Sequence, residues 1–147
     1  MKEVARNKRA YFDYEILEKF EAGISLLGRE VKSVKSGRIN LAGSYAILRG
    51  GEVWLVGADI PPYQPRNAPQ DYDSQRTRKL LLTEKEIKTL MGEIKGTSLT
   101  LVPLRSYIKG RLIKVELGLG KGRKKTDKRE LIKKRETERE MRRTLRK

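Results

Sequence analysis

The strongest pattern of apolar residues in the chain is a pair of runs separated by two glycines. Residues 44–49 and 52–57 are rich in Tyr, Ile, Leu, Val and Trp, and Gly50 and Gly51 stand between them. A two-residue linker that accepts positive φ between two apolar runs predicts a β-hairpin. We expect Trp54 to lie in the core or on a sheet face, with base stacking as the alternative interpretation.

Partial alternation of apolar and polar residues predicts four further strands, at residues 11–20, 24–28, 98–107 and 112–117. The polar and basic residues before them are expected to form an N-terminal arm. Glu21, Ala22 and Gly23 are expected to separate the first of these strands from the second. The glycines at 118, 120 and 122 are expected to release the chain from the last strand.

Apolar residues at helical spacing predict two helices. Residues 29–37 contain two valines three positions apart and end in Gly37, which suits the left-handed conformation that ends a helix. The second helix begins at a capping box formed by Thr83 and Glu86 and then carries apolar residues along one face. Four of the five prolines fall within residues 60–73, which predicts a long surface loop.

Together these elements predict a body of residues 1–120 followed by a tail of residues 121–147. The body is expected to be mainly β, with about six short strands and two to three added helices. Helices inserted among mostly antiparallel strands favour a small barrel, and we expect an OB-like antiparallel β-barrel. The strand faces and loops of such barrels are common platforms for nucleic acids.

The charge distribution changes this picture most in the tail. The chain has a net charge of +16, and residues 121–147 hold 14 Lys or Arg against 5 Asp or Glu. Their few apolar side chains cannot offset the entropy lost on ordering, so we expect the tail to be disordered when free. Asp127 as N-cap and Glu130 three residues later predict a helix that an anionic partner stabilises. A solvated basic tail is the alternative interpretation.

Composition also restricts the classes of function. The net charge favours a polyanionic partner, and nucleic acid is favoured over a membrane because no run of about 18 apolar residues occurs. Cys and His are absent, so we expect no disulfide, no metal site and no cofactor. The first residues lack the apolar segment of a signal peptide, and we expect a cytoplasmic protein.

Two clusters of cations in the body are candidates for contacts with phosphate groups. The first lies at the end of the first predicted helix, where complementing the helix dipole is the alternative role, and comprises Lys32, Lys35 and Arg38. The second precedes an apolar run, where a solvated face is the alternative, and comprises Arg76, Arg78 and Lys79.

Six stretches of the chain occur together, at residues 7–10, 20–26, 30–33, 43–45, 76–82 and 120–129. In this order they resemble the SsrA-binding protein family, or small protein B, of bacterial trans-translation. The resemblance implies an OB-like barrel that binds the tRNA-like part of transfer-messenger RNA and enters stalled ribosomes with it. It also implies a tail that becomes helical in the empty mRNA channel, beside the 16S ribosomal RNA of the decoding centre.

The resemblance assigns roles to residues of both regions. In the body, it matches RNA-facing positions at Asn7, Glu21, Tyr45 and Leu81, with Lys8 and Arg9 in the same motif as Asn7. In the tail, the matching segment reads the decoding centre through Lys121, Gly122, Arg123, Lys124, Lys125, Asp127, Lys128 and Arg129. Thr126 and Thr83 depart from the residues that the family usually has at their positions.

Two other functions stay open from the residues alone. An RNA-processing enzyme could hold Mg²⁺ on Asp71 and Asp73, but no third acid lies nearby and imidazole and thiol groups are absent. A general or ribosomal RNA-binding protein could use the same barrel and basic tail. We expect a monomer that is not an enzyme.

Overall fold

The computed structural model describes residues 1–146. Its strands are β1 (Lys2–Arg6), β2 (Tyr14–Ile24), β3 (Tyr45–Arg49), β4 (Glu52–Val56), β5 (Arg78–Leu81), β6 (Leu99–Lys109) and β7 (Leu112–Gly122). Its helices are α1 (Lys8–Asp13), α2 (Gly28–Lys35), α3 (Glu84–Ile94) and α4 (Lys125–Arg146), with a short 3-10 turn at Pro65–Asn67. The described residues therefore contain one strand more than the six predicted, and the three helices of the body lie within the predicted two to three.

The sheet is antiparallel throughout and closes on itself. Its strand order is β1-β6-β3-β4-β5-β2-β7, and β7 also pairs with β6. That extra ladder runs from the Leu99–Lys121 pair to the Lys109–Leu112 pair, so β2 and β6 flank β7 on its two edges. Closure gives each of the other six strands a neighbour on both sides, as in small barrels, and β1 adds to β6 from outside the ring. The predicted OB-like antiparallel barrel is confirmed.

The barrel interior is filled by aliphatic side chains at alternate strand positions. Val53 and Leu55 point inward from β4, and Val115, Leu117 and Leu119 do so from β7. This period of two places every second side chain of a strand on the same face. Burial of these residues, and of helix residues that join the same cluster, supplies the main driving force for folding of the barrel.

The hairpin and both predicted helices are confirmed, because their end signals are local. Gly50 and Gly51 adopt φ values of 62° and 73°, as a tight hairpin turn requires. Gly37 follows α2 with a φ of 88°. At the start of α3, the Thr83 hydroxyl accepts a hydrogen bond of 3.2 Å from the backbone N–H of Glu86, which completes the capping box.

The predicted arm and the start of the first predicted strand are wrong. Residues 2–6 form β1, which pairs with β6, and residues 8–13 form α1. Asn7 caps α1, because its side-chain oxygen accepts a hydrogen bond of 3.3 Å from the backbone N–H of Ala10. Ala10 is buried against Val102 and Leu104, so tertiary packing stabilises this short helix.

The break predicted at Glu21, Ala22 and Gly23 is also wrong. β2 runs without interruption through these residues, because β7 pairs with them on one side and β5 begins to pair at Gly23 on the other. The second strand predicted at 24–28 is therefore only the end of β2 and the connection to α2. Ladder hydrogen bonds overcame the weak strand propensity of glycine and alanine here.

The glycines at 118, 120 and 122 do not release the chain. All three lie in β7 and pair with β2. A Cβ on Gly118 would stand 2.9 Å from Leu104 Cδ1 and 3.2 Å from Ile16 Cδ1, so a side chain would collide with the neighbouring strands. Glycine in this strand thus marks close packing of strands.

The boundary between body and tail consequently moves. Lys121 and Gly122 belong to β7, and the body extends to residue 122. The tail forms α4, which begins at Lys125, two residues before the predicted N-cap. Asp127 instead accepts a hydrogen bond of 3.3 Å from the backbone N–H of Lys124, as the third residue of the helix does in a capping box. Disorder of this segment in the unbound protein stays a prediction.

Candidate nucleic-acid interface

Arg76 and Arg78, two predicted phosphate contacts, both bind one buried carboxylate. Glu30 of α2 accepts from Arg76 at 2.6 Å and from Arg78 at 2.7 Å. The side chain of Arg78 is fully buried, and it also donates to the backbone oxygens of Ala58 and Ser74. Arg78 therefore has no access to a phosphate, and its predicted RNA contact is wrong.

The ion triad of Glu30, Arg76 and Arg78 is stable because every charge in it has a partner. Burial opposes ionisation of the carboxyl, but hydrogen bonds from Arg76, the Leu27 backbone N–H and Arg78 outweigh that effect and lower the pKa of Glu30. The triad connects α2 to β5 and to the end of the proline-rich loop. The cluster predicted from the sequence is thus mainly a structural one, with Arg76 partly exposed at its edge.

Two other residues predicted to contact RNA, Lys79 and Asn7, also bind partners within the fold. Lys79 forms an ion pair of 3.0 Å with Glu52 across β4 and β5, although both side chains stay partly exposed. Asn7 is buried, caps α1, and donates a hydrogen bond of 2.9 Å to the backbone oxygen of Pro103. These two hydrogen bonds give Asn7 a role within the fold, and its contact with RNA stays a prediction.

Leu81 stands in a shallow groove that combines apolar and cationic side chains. Leu81 and Leu112 are 51% and 61% exposed, which is unusual for leucines of a barrel. The front groove, as we call it, is lined by these two residues together with Gly23, Arg111 and Lys114. Arg111 and Lys114 were not among the residues predicted from the sequence. The signal for Lys114 was present, because it alternates with the apolar residues 113 and 115 along the last predicted strand.

Glu21 lies beside the front groove and is held in place by two neighbours. Its carboxylate accepts a hydrogen bond from the hydroxyl of Tyr107 and pairs with Lys109 at 3.4 Å. The hydrogen bond from Tyr107, with the nearby Lys109 and Lys114, lowers the pKa of Glu21, while burial and that same bond raise the pKa of Tyr107. The carboxylate is 40% exposed, so it can still accept a hydrogen bond from a ligand.

Tyr45 and Arg9 lie together at a different part of the barrel. They line the N-terminal groove, which we define by Arg9, Asp13, Tyr14, Gly43 and Tyr45. The ring of Tyr45 is 49% exposed, and the side chains of Arg9 and of the adjacent Lys8 are exposed as well. The structure therefore brings three of the predicted residues, Lys8, Arg9 and Tyr45, into one region.

The cluster predicted at the end of the first helix is on the surface. Lys32, Lys35 and Arg38 are exposed, and none of the three forms an ion pair within residues 1–146. Arg38 donates one hydrogen bond of 3.2 Å to the backbone oxygen of Tyr63 in the proline-rich loop. These cations remain available for an anionic ligand.

The tail begins against α1, and its first turn is fixed there. The Arg123 N–H donates a hydrogen bond of 2.8 Å to the backbone oxygen of Asp13. Lys128 pairs with the Asp13 carboxylate at 3.0 Å and lies 5.7 Å from the ring centre of Phe12. Burial raises the pKa of Asp13, but Lys128 and Arg9 outweigh it and lower the pKa.

Beyond this first turn the tail is directed into solvent. Two of its predicted contact residues, Arg123 and Lys128, are half-buried at the junction. The others are exposed: Lys121, Gly122, Lys124, Lys125, Asp127 and Arg129. Residues 132–145 are all exposed, cations and apolar side chains alike. No tertiary packing orders this length of helix, so its charges face any ligand from every side.

Two kinds of feature are absent from the described residues. None of the helices within residues 1–146 is both long and apolar enough to span a bilayer. The same residues contain no group of three or more acidic or other metal-ligating side chains placed to hold an ion.

A closed antiparallel barrel with leucines exposed among cations, extended by a basic helix, defines a small β-barrel protein of the nucleic-acid-binding class. The model of the SmpB protein family matches residues 4–147, and the chain belongs to this family. It is 49% identical over 142 residues to the SsrA-binding protein of Gloeothece citriformis, covering 97% of this chain and 92% of the relative.

A second relative and a solved structure point to the same family. The SsrA-binding protein of Synechocystis sp. is 49% identical over 145 residues, covering 99% of this chain and 94% of that protein. A solved structure described as "tmRNA-SmpB: a journey to the center of the bacterial ribosome" contains a chain of similar fold, with a TM-score of 0.67 and 44% identity. That match covers 82% of this chain and 85% of the other.

Proposed function

We propose that this protein binds the tRNA-like part of transfer-messenger RNA through its barrel and delivers it to stalled ribosomes for trans-translation. In this proposal the tail enters the empty mRNA channel and contacts 16S ribosomal RNA at the decoding centre. The names of the relatives and the ribosomal setting of the similar solved structure support the two partners. We expect the protein to act by binding, without catalysis.

The observation that carries the proposal is the separation of two surfaces along the β2–β7 ladder. The front groove lies at the end where Gly23 pairs with Lys114, and the tail leaves at the other end, where Tyr14 pairs with Gly122. At about 3.3 Å per residue, these ends are about 30 Å apart. Two RNA elements can therefore contact the protein at the same time without competing for one surface.

The front groove has the side chains that folded RNA requires. Exposed Leu81 and Leu112 offer apolar surface to unstacked bases, while Arg111 and Lys114 offer charge to phosphate groups. Glu21 cannot attract phosphate. Because Tyr107 and Lys109 orient its carboxylate, it is suited to accept a hydrogen bond from a base or from the RNA 2′-OH.

The tail has the properties of a ligand for a narrow channel of RNA. Its cations lie on all sides of the helix. Pairing these cations with phosphates releases counterions. The surrounding RNA also gives the helix packing contacts that the isolated protein does not provide. The first turn stays attached to Asp13 of the barrel. Binding of the barrel to one RNA thereby fixes where the helix starts relative to the other.

The proposal is tested by removing the two surfaces separately. A chain ended after Lys124 keeps β7 and the Arg123–Asp13 hydrogen bond, so we expect it to bind free transfer-messenger RNA within about twofold of the full chain. It should fail to engage stalled ribosomes. Replacing Arg111 and Lys114 by Gln should instead weaken binding to free transfer-messenger RNA. It should also lower the slope of log affinity against log salt concentration by up to about 2.

Lys85→Gln on α3 is the matched control, since Lys85 is exposed and lies outside both surfaces. It should leave the salt slope close to that of the wild type. If the shortened chain still engages stalled ribosomes, or if the double Gln variant keeps the full slope, the assignment of the two surfaces is wrong. An equal preference for elongator tRNA would identify a general RNA-binding protein instead.

A further inference from the structure

A third groove lies on the far side of α2 from the front groove, between this helix and the proline-rich loop. We call it the loop groove. Its volume of about 420 Å³ falls within the range of small-ligand sites, about 300–1,000 Å³. Its principal walls are Arg29 and Lys32 from α2, and Pro62, Tyr63, Pro69 and Tyr72 from the loop.

The loop groove is already formed, because side chains hold the loop in one conformation. The Tyr72 hydroxyl donates a hydrogen bond of 2.6 Å to the backbone oxygen of Ile60, and the Ser33 hydroxyl donates one of 2.5 Å to that of Pro61. Arg38 holds the backbone oxygen of Tyr63 in the same way. A ligand therefore has little loop entropy to overcome on binding.

The walls of the loop groove combine cations with flat rings and lack acids. Arg29 stacks 5.5 Å from the centre of the Tyr72 ring, and neither Arg29 nor Lys32 forms an ion pair within residues 1–146. The ring of Tyr63 is 42% exposed. No Asp or Glu occurs among the described residues that line the groove. This set of groups suits a ligand with a planar ring and a negative charge.

The position of the loop groove favours RNA as the source of that ligand. Val31 of α2 lines the front groove, while Arg29 and Lys32 of the same helix line the loop groove. An RNA strand that leaves the front groove reaches the loop groove by crossing one helix. We propose that the loop groove binds one unpaired nucleotide of RNA, with its base stacked on Tyr63 and its phosphate on Arg29 and Lys32. This inference rests on the proposed function, which makes RNA the partner of the protein.

Photocrosslinking of the full chain tests this site directly. The probe is a short single-stranded oligouridylate that carries thiouridine, and mass spectrometry locates the crosslinked peptides. We expect crosslinks within residues 60–73, and Tyr63→Leu should reduce their yield at least about fivefold, given the usual contribution of one stacked base. Tyr63→Phe, which keeps the ring, should retain the yield. Crosslinks confined to the tail or the front groove would overturn the proposal.

The cations are tested in the same assay by its salt dependence. Replacing Arg29 and Lys32 together by Gln should lower the salt slope of the loop crosslink by about 0.7, the value for one phosphate of a single strand, whereas Lys85→Gln should not change it. A polyglutamate peptide of equal charge should compete poorly. If it competes as well as the RNA, the groove recognises charge alone and the proposal fails.

Parallel measurements separate this proposal from the preceding one. Each variant is also assayed for binding to transfer-messenger RNA. If the wild-type chain does not bind this RNA selectively, the proposed function fails, whatever the crosslinks show. If selective binding is present but Tyr63→Leu leaves the loop crosslink unchanged, only the loop groove proposal fails.

Discussion

The barrel and the tail use their cations in opposite ways. Arg78 of the barrel is fully buried and shares Glu30 with Arg76, so both contribute to the packing of α2 on the sheet. In the tail, the cations at residues 129–145 are exposed, and within the described chain the part of α4 beyond its first turn has no tertiary partner. Net charge alone therefore locates exposed cations in the tail, whereas in the barrel it also counts buried charges that stabilise the fold.

This comparison is tested most strongly at Glu30. Glu30→Gln leaves Arg78 buried without its counter-charge, and loss of one partner of a buried ion pair costs about 3–5 kcal/mol. We expect the free energy of unfolding of the barrel, measured by urea denaturation, to fall by that amount.

Glu84→Gln provides the control for Glu30→Gln. Glu84 is 87% exposed and pairs weakly with Lys88 at 3.8 Å, so its change should alter stability by less than about 0.5 kcal/mol. If the two variants unfolded at the same urea concentration, the triad would not be stabilising the barrel.

A smaller loss of barrel stability is expected for Gly118→Ala. The new methyl group would stand 2.9 Å from Leu104 Cδ1, and overpacking of this kind costs about 1–3 kcal/mol. The matched variant is Gly92→Ala in α3, where the methyl group meets nothing within 4 Å. It should stabilise by about 0.4–1 kcal/mol. Thermal unfolding of both variants measures the difference, and equal shifts would argue against close packing at Gly118.

The fold was predictable where short-range signals decide it. Gly50 and Gly51 specify the hairpin, and Thr83 with Glu86 specifies the start of α3, because each signal acts within a few residues. The burial of Arg78 was not predictable in this way, since its partner Glu30 lies 48 positions away. The role of Gly118 likewise depends on side chains brought by two other strands.

The residues of the candidate site were likewise only partly predictable from the sequence. Tyr45 and Leu81, expected from a family resemblance, are exposed as a contact role requires. Asn7, expected from the same resemblance, is buried and caps α1. A motif preserves residue types but does not separate those that hold the backbone from those that touch a ligand. Lys114 was missed because one cation in a strand resembles an ordinary solvent-facing residue.

The smallest effect on barrel stability is expected in the tail. Lys134→Pro should interrupt α4 at a local cost of about 3 kcal/mol or more and reduce the helical circular dichroism signal of the full chain. The free energy of unfolding of the barrel should change by less than about 0.5 kcal/mol, because Lys134 is exposed.

Lys134→Ala removes the same charge from the tail and keeps the helix, so it is the control for Lys134→Pro. The Pro variant should engage stalled ribosomes less well than the Ala variant. Equal engagement would mean that the tail acts through its charge alone. A large loss of barrel stability in the Pro variant would contradict the independence of the two regions.

The attachment of α4 to Asp13 has a mechanical consequence. A helix of 22 residues rises about 33 Å, so a tilt of about 10° at the attached turn moves its far end by roughly 6 Å. One ion pair and one backbone hydrogen bond, both to Asp13, therefore set the direction of the whole helix. Small rotations of the barrel would be magnified at the tip, so under the proposed function the orientation of the barrel on its RNA would decide whether the helix meets the mRNA channel.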